Sequence, residues 1–189
     1  MKAKSRYLVV FLFLFATLLG RALDANAEDA KTYFYRGVNY FKQGKYDQAI
    51  ADYTKAIELN PKDAYAYNNR GIAYAKKGEY DKAIADYTKA IELNPKDVEA
   101  YKKRGDAYND KKEYEKAIAD YTKAIKLNPK DAEAYSKRGN VYLFNLDFEK
   151  ACADAKRACD LGQCKLLNSG VCELSDVTSG ENGNSKSKK

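Results

Sequence analysis

The sequence repeats itself every 34 residues. The segment AIADYTKAIELNPKD at 49–63 recurs unchanged at 83–97, and it recurs with a single substitution at 117–131. A fixed period of this length indicates that one supersecondary unit is copied along the chain and that each unit buries its apolar face against its neighbours. We therefore expect most of this 189-residue chain to form a linear stack of similar units, an architecture that seldom encloses a catalytic pocket.

Each unit is predicted to contain two helices joined by a turn. Small and aromatic residues recur at helical spacing, first on one helix and then on the next. An Asn-Pro pair such as Asn60-Pro61 ends the second helix, because the residue before a proline is disfavoured in the α conformation. The aspartate that follows, Asp63 in the first unit, is placed to cap the next helix. In the first unit the residues expected to face the core are Tyr33, Gly37, Tyr40, Ala49, Tyr53 and Ala56.

The order of these residues resembles the tetratricopeptide repeat (TPR) family. The family pattern of aromatic, glycine, aromatic, alanine, aromatic, alanine and proline is found within residues 30–165, and the first three units match it most fully. The resemblance implies an all-α fold, a right-handed α-solenoid of four helix-turn-helix repeats with a short C-terminal capping helix. It also implies that the first helices line a concave surface that binds segments of other proteins. In the second unit the matching residues are Tyr67, Gly71, Tyr74, Ala83, Tyr87, Ala90 and Pro95.

The first 27 residues are predicted to be a secretory signal peptide. Lys2, Lys4 and Arg6 precede an uncharged apolar run at 7–20, and Ala25-Asn26-Ala27 offers the small residues of a cleavage site. The alternative is a permanent membrane anchor. As a helix, the run of 14 residues would cover roughly 21 Å, short of a hydrocarbon core of about 30 Å, so cleavage is favoured. We expect an exported protein, periplasmic or secreted, with no stable membrane anchor after cleavage.

The rest of the chain is predicted to contain a repeat domain, a cap and a tail. The repeat domain covers residues 28–163, and a capping segment follows at 164–176. The last stretch, 177–189, is rich in Ser, Gly, Asn and Lys and is expected to be disordered. The four repeats are assigned to residues 30–63, 64–97, 98–131 and 132–165.

The charge and the residue types exclude several functions. The signal segment carries four basic residues and one acidic residue, so its removal lowers the net charge from +7 to +4, which is too mild for a nucleic-acid-binding protein. The chain has no histidine, and no glycine-rich phosphate loop or paired-carboxylate motif stands out. We expect no enzymatic activity, no cofactor and no metal site.

All four cysteines lie in the fourth unit and the segment after it. An even number of cysteines in an exported protein suggests two disulfides. Cys152 and Cys159 would lie about 10.5 Å apart on one helix, too far for a disulfide. If two antiparallel helices turn near residues 161–162, residues with the same midpoint face each other, which favours Cys152 with Cys172 and Cys159 with Cys164. The alternative is a thiol-redox or metal-binding role, for which the chain lacks a C-x-x-C motif.

The fourth unit departs from the pattern, as a terminal repeat is expected to do. Ala155 replaces the aromatic residue of its second helix, and Gln163 replaces the proline. The segment that follows, at 163–176, contains spaced apolar residues and is expected to form a short capping helix broken near Gly170.

One arginine and one aspartate hold fixed positions in every unit. The arginine lies on the first helix and the aspartate on the second, and the midpoint rule places each aspartate opposite the arginine of its own unit and that of the next. We interpret these rows as a structural ladder of ion pairs; the alternative is a track of arginines that binds anions. The ladder residues are Arg36, Asp52, Arg70, Asp86, Arg104, Asp120, Arg138 and Asp154.

Function is expected to lie in the concave groove, at the positions that the family places there. We expect the array to be a protein-interaction scaffold that binds an extended or helical segment of another protein, with apolar anchors at both ends of the groove and a polar middle. Some family members clamp a partner's C-terminal carboxylate, but Phe34, Val38 and Glu99 replace residues that this clamp needs. The sequence indicates neither the partner nor an oligomeric state. The predicted groove residues are Phe34, Val38, Phe41, Asn68, Asn69, Ile72, Lys102, Asp106, Asn109, Asn140 and Leu143.

Overall fold

The structure, a computed structural model, describes residues 29–173. Within that range it contains helices and turns and no strand. The predicted signal peptide at 1–27 and the predicted tail at 177–189 lie outside the described residues, as does the end of the capping segment. The helices are α1 (29–42), α2 (Tyr46–Leu59), α3 (Ala64–Lys76), α4 (Tyr80–Leu93), α5 (Val98–Asp110), α6 (Tyr114–Leu127), α7 (Ala132–Phe144) and α8 (Phe148–Asp160).

The helices stack in chain order. From α2 to α8 each helix packs against its neighbours along the chain, and α3 also contacts α5, the first helix of the next repeat. Helix α1 packs on α2 through the cluster that contains Val38, Ala49 and Tyr53. The described chain is therefore an α-solenoid, in which the core continues from one repeat to the next.

The ends of the helices follow the predicted signals. The Asp63 carboxylate accepts hydrogen bonds from the backbone N–H groups of Tyr65 and Ala66, Asp97 caps α5 in the same way, and Asp131 caps α7 with one bond, from Ala134. These carboxylates satisfy backbone donors that have no partner within the helix.

The turn inside each repeat requires one residue with a positive φ. Gly44 and Gly78 supply it in the first two repeats, at φ 73° and 76°. Lys112 and Leu146 supply it in the third and fourth repeats, at φ 61° and 59°. A side chain makes this conformation unfavourable by roughly 1–2 kcal/mol, so the packing of the flanking helices holds these two turns in place.

The core of each of the first three repeats is built around a tyrosine that lies on a glycine. Tyr53, Tyr87 and Tyr121 are each 1% exposed. A Cβ atom on Gly71 would lie 2.7 Å from the ring of Tyr87, and Gly37 and Gly105 have the same relation to the other two rings at 2.9 Å. The glycine therefore allows the first helix to approach the ring closely, while fully buried alanines on both helices shorten the distance between backbones.

The capping segment differs from the predicted short helix. After α8 the chain turns, forms a single 3-10 turn at Leu167–Ser169, passes through Gly170 at φ 80° and becomes helical at residue 171. The prediction of a break near Gly170 is confirmed, but the helix predicted before it is replaced by turns. The chain reverses direction tightly here, because the Cys159–Cys164 disulfide joins the end of α8 to a residue only five positions later.

Both disulfides lie at this end of the molecule. Cys152 is joined to Cys172 with their Cα atoms 4.8 Å apart, and Cys159 is joined to Cys164. These are the pairs that the midpoint argument favoured, and no cysteine is left free. The alternative role in metal binding or thiol exchange therefore has no free thiolate in this state.

Candidate binding surface on the first helices

The first helices of adjacent repeats touch at residues 31 positions apart. The Lys102 Nζ atom lies 2.7 Å from Glu133 of the next repeat, and the Lys137 Nζ atom lies 2.8 Å from Asp106 of the repeat before it. These contacts join α5 and α7 into one continuous surface, which α3 extends through its contact with α5. This surface is the candidate groove.

The predicted apolar anchors at the N-terminal end of the groove are partly buried. Phe34, Val38 and Phe41 pack against the cluster of Ala49, Tyr53 and Ala73. The Phe34 ring centroid lies 5.8 Å from that of Tyr53. These side chains thus contribute to the core of the first two repeats, and only a part of each faces solvent.

Two tyrosines that the sequence analysis did not select are the exposed aromatic residues at this end. Tyr35 and Tyr65 are 64% and 68% exposed. Tyr35 follows Phe34 directly, and Tyr65 lies 31 residues after Phe34, the spacing at which Lys102 meets Glu133. Applying that spacing to the sequence would have found Tyr65.

The asparagines of the second repeat are less available than expected. Asn68 is 8% exposed, and its side-chain oxygen is buried and accepts no hydrogen bond from the described residues. Asn69 donates a hydrogen bond to the backbone oxygen of Tyr65 at 2.9 Å. Ile72 is half-buried against the cluster that contains Ala83 and Tyr87. The predicted groove residues of the second repeat are therefore mostly buried or already hydrogen-bonded.

Lys102 is buried by ion pairs instead of standing free in the groove. It is 7% exposed, and its Nζ atom lies 2.7 Å from Glu133 and 3.1 Å from both Glu99 and Asp131. Burial lowers the pKa of Lys102, but the hydrogen bonds to these three carboxylates outweigh burial and raise the pKa above its ordinary value. The same contact with Lys102 lowers the pKa of Glu133. Lys102 thus links the third and fourth repeats.

Asp106 and Asp110 are two carboxylates at the centre of the groove. Asp106 accepts hydrogen bonds from the Tyr121 hydroxyl at 2.7 Å and from Lys137 at 2.8 Å. Asp110 lies one helical turn further along α5. Burial, and after it the negative charge of Asp106, raise the pKa of Asp110 above its ordinary value.

Two depressions of about 200 and 340 Å³ are lined by these two carboxylates. Ile72, Lys76 and Lys103 line the first, and Asn109 and Asn140 line the second. The side-chain oxygen of Asn109 is buried and accepts no hydrogen bond from the described residues. Asn140 is exposed. The middle of the groove therefore presents carboxylates and amides together with Lys76, Lys103 and Lys137.

The C-terminal end of the groove is covered in part by the cap. Leu143 packs against the cluster that contains Leu166 and Val171 of the capping segment. Phe144 remains 62% exposed and stacks on Tyr114, with ring centroids 6.0 Å apart.

The arginine and aspartate rows form ion pairs within each repeat. Arg70 donates from Nε and Nη2 to the two oxygens of Asp86 at 2.8 Å, and the other three pairs have the same bidentate geometry. The expected second contact, from each aspartate to the arginine of the next repeat, is not among the ion pairs of the described residues.

A threonine makes the link between repeats in place of the aspartate. Arg70 donates from Nη1 to the Thr54 hydroxyl of the previous repeat at 3.0 Å, and Thr88 and Thr122 receive Arg104 and Arg138 at 2.9 Å. The threonine lies closer to the repeat boundary than the aspartate, which is already engaged twice by its own arginine. In these three repeats each guanidinium nitrogen donates to a side chain of the array, which supports the structural ladder over an anion track.

Within residues 29–173 no group of three or more cysteines and carboxylates is placed to hold a metal ion. In the same range no helix combines the length and the apolar character needed to cross a membrane.

Comparisons with known proteins identify the repeats. Family models described as TPR repeat or tetratricopeptide repeat match residues 37–78 and 105–144, residues 64–97 and residues 86–119. No curated protein sequence gives a significant match.

Several solved structures are similar over most of their length. The first TPR domain of Spaghetti (RPAP3) bound to the HSP90 peptide SRMEEVD is 32% identical, with a TM-score of 0.62 over 64% of this chain and 95% of that one. The second TPR domain of human RPAP3, in complex with the HSP70 peptide SGPTIEEVD, is 30% identical, with a TM-score of 0.58 over 63% and 97%. MamA is 26% identical, with a TM-score of 0.74 over 81% and 84%. The chain belongs to the tetratricopeptide repeat family.

Proposed function

We propose that the protein is a non-catalytic scaffold that binds a segment of another protein along its first helices. The observation that supports this most directly is the exposure of Tyr35 and Tyr65 at one end of that surface, whose middle holds two depressions lined by charged and polar side chains. Tyrosine supplies a large contact area together with a polar hydroxyl, and it is enriched among the residues that dominate binding energy in interfaces. The peptide complexes of the two RPAP3 domains support the same use of the fold.

The proposed ligand differs from the acidic peptides bound by RPAP3. The positions that a carboxylate clamp would use hold Phe34 and Val38, and Lys102 is already engaged by three carboxylates. The centre of the groove places Asp106 and Asp110 beside three lysines, Lys76, Lys103 and Lys137. A segment with an aromatic or aliphatic anchor for the tyrosine end, followed by polar side chains that both donate and accept hydrogen bonds, fits this arrangement.

Photo-crosslinking tests the surface. A photoreactive amino acid replaces Asn69 in the groove or, as a control, Lys123, which is exposed on the second helix α6. Crosslinking in the native host is expected to give a discrete adduct from position 69 and none from position 123. The double variant Tyr35→Ser/Tyr65→Ser is expected to remove the adduct without changing the melting temperature, because exposed residues contribute little to folding.

A second control separates loss of anchors from a general loss of apolar surface. Leu146 is 74% exposed on the turn between α7 and α8, so Leu146→Ser removes a comparable exposed side chain away from the groove and is expected to leave the adduct intact. Equal adducts from positions 69 and 123, or an adduct that survives loss of both tyrosines, would contradict the proposal.

We further propose that the chain is exported and cleaved after Ala27, which gives a periplasmic or secreted protein that begins at Glu28. The disulfide pairing of all four cysteines supports an oxidising compartment, since disulfides persist there and are rare in the cytosol. Intact-mass measurement of the exported protein is expected to show the loss of residues 1–27. A full-length species retained in the membrane fraction would rule out this cleavage.

A further inference from the structure

The fourth repeat lacks the tyrosine that fills the other three, and the cap replaces it. Ala155 stands where Tyr53, Tyr87 and Tyr121 stand in the earlier repeats. A Cβ atom on Gly139 would lie 2.7 Å from a methyl group of Leu166, the distance at which the same atom on Gly71 would meet the Tyr87 ring. Leu166, 6% exposed, thus plugs the socket beside Gly139 from outside the repeat.

From this substitution we propose that the C-terminal cap is a thiol-controlled plug, which a dithiol reductant releases from the fourth repeat. The proposal concerns the end of the array and does not require the proposed groove function. In the first three repeats the residue that fills the socket is a tyrosine on a 14-residue helix. It cannot leave without unfolding that repeat. In the fourth repeat the plug belongs to a separate segment.

The described part of the cap has little regular structure to hold it. Between α8 and residue 171 it contains one 3-10 turn of three residues. Its two buried apolar residues, Leu166 and Val171, pack against Ala151 and Ala155, and Tyr142 and Leu143 of α7 pack against the same cluster. The disulfides attach the cap to α8 at both of its ends, Cys159–Cys164 where it leaves the helix and Cys152–Cys172 after Gly170.

The two disulfides differ in their accessibility. Cys159, Cys164 and Cys172 are half-buried and Cys152 is 6% exposed, so only the Cys159–Cys164 disulfide has both of its cysteines half-buried. A thiolate of the dithiol attacks one sulfur of Cys159–Cys164 and forms a mixed disulfide; its second thiolate then displaces the protein sulfur. The products are two protein thiols and the oxidised dithiol, so two electrons and two protons pass to the protein. Cys152–Cys172 follows by the same exchange once the turn has loosened.

Release of the cap uncovers a defined apolar site. The socket beside Gly139 and Ala155 loses Leu166, and Leu143 on α7 loses the cluster that covers it. The reduced protein therefore differs from the oxidised one at α7, α8 and the cap, while the contacts of α2 to α4 are unchanged.

Hydrogen exchange of the mature protein, with and without dithiothreitol, tests the plug. Reduction is expected to speed amide exchange at least tenfold in residues 163–173 and in α7, with no change in α2 to α4. Alkylation followed by mass measurement verifies that four thiols have formed. Exchange that stays at the oxidised level after full reduction would overturn the proposal, and so would equal acceleration along the whole array.

Two variants test whether the side chain of Leu166, and not the disulfides alone, protects α7. Leu166→Ala keeps both disulfides but removes the plug, and it is expected to speed exchange in α7 without any reductant. Ala155→Tyr/Leu166→Ala restores an internal plug like that of the other repeats, so reduction is expected to free residues 163–173 while α7 stays protected. Unchanged exchange of α7 in Leu166→Ala, or loss of α7 protection on reduction of the double variant, would refute the role of Leu166.

Discussion

In each of the first three repeats a tyrosine ring packs directly on a glycine, and the close packing depends on both residues. The ring of Tyr87 occupies the space that a Cβ atom on Gly71 would need, at 2.7 Å. Glycine is ordinarily unfavourable in a helix, by roughly 1 kcal/mol relative to alanine, so its presence in the middle of α3 indicates that close packing outweighs helix propensity.

Replacing Gly71 with alanine is therefore expected to destabilise the protein despite the better helix former. We expect a net loss of about 1–2 kcal/mol, because overpacking of a tight core exceeds the gain in propensity. Urea denaturation measures the change. In Gly71→Ala/Tyr87→Leu the smaller side chain relieves the contact, so the alanine is expected to be less harmful in that background than in the wild type. Additive effects of the two changes would show that the ring and the glycine do not interact.

The ion pairs differ in burial along the array, which provides an internal comparison. The side chains of Arg70 and Asp86 are 17% and 8% exposed, whereas Arg36 is 53% exposed and has no preceding threonine among the described residues. Replacing Asp86 with alanine is expected to cost about 3 kcal/mol, because it leaves a largely buried guanidinium without its carboxylate. Asp52→Ala is expected to cost clearly less, since water reaches Arg36. Equal losses in thermal melts of the two variants would mean that burial does not set the strength of the ladder.

Helices α2, α4 and α6 each insert one buried tyrosine, and this makes the array sensitive to alkaline pH. Burial raises the pKa of Tyr53 to about 12, and it raises the pKa values of Tyr87 and Tyr121 well above their ordinary value. An unfolded tyrosine ionises near pH 10. The stability contributed by these groups is therefore fully present below pH 10 and is lost as the pH rises from 10 through the folded pKa.

Denaturation at pH 8 and pH 11 tests this dependence. Each buried tyrosine is expected to account for about 1 kcal/mol of the stability lost between the two values. The double variant Tyr53→Phe/Tyr87→Phe is expected to lose about 2 kcal/mol less than the wild type over the same interval, which separates the tyrosines from lysines that titrate in the same range. If both proteins lost the same amount, the phenols would not be the sensitive groups.

The sequence predicts elements where it repeats and fails where it does not. The helix pairs and the aspartates that cap the first helices follow from local signals that are present three or four times. The C-terminal capping segment occurs once. Its path depends on Leu166, which fills the space left because the fourth repeat lacks the tyrosine of the other repeats. The positive φ of Lys112 and Leu146 could not be predicted from the sequence either, because neighbouring helices impose it against the preference of the residue.

The groove was harder to predict than the helices, since exposure depends on the adjacent repeat. Lys102 occupies a groove position, but carboxylates 29 and 31 residues later, Asp131 and Glu133, bury it. Asn68 and Phe34 are likewise partly or fully covered by neighbours. Family positions identify which side of the helix faces the groove, whereas the pairing of charges between repeats decides which of those side chains a partner can reach.

At the scale of the whole molecule, the repeats are interchangeable because each contacts only its neighbours. The sequence of α2 differs from that of α4 only at Gln48, where α4 has Lys82. Deleting residues 64–97 joins Asp63 to Val98, so α2 meets α5 through the surface that α4 normally presents, with Thr54 in place of Thr88 as acceptor for Arg104. We expect this shortened chain to fold with unchanged helicity per residue.

The deletion is also expected to lower the stability, because a solenoid loses one intrinsic repeat and one interface. The dependence of unfolding free energy on urea concentration should fall by about a quarter, in proportion to the surface that unfolding exposes. Circular dichroism during urea denaturation measures both quantities. Deleting residues 79–97 is the matched control: it removes α4 alone and brings two first helices together, so the in-register glycine and tyrosine contacts are lost. A 34-residue deletion that unfolds as readily as this control would show that the array is held by contacts beyond nearest neighbours, against the packing that the described helices display.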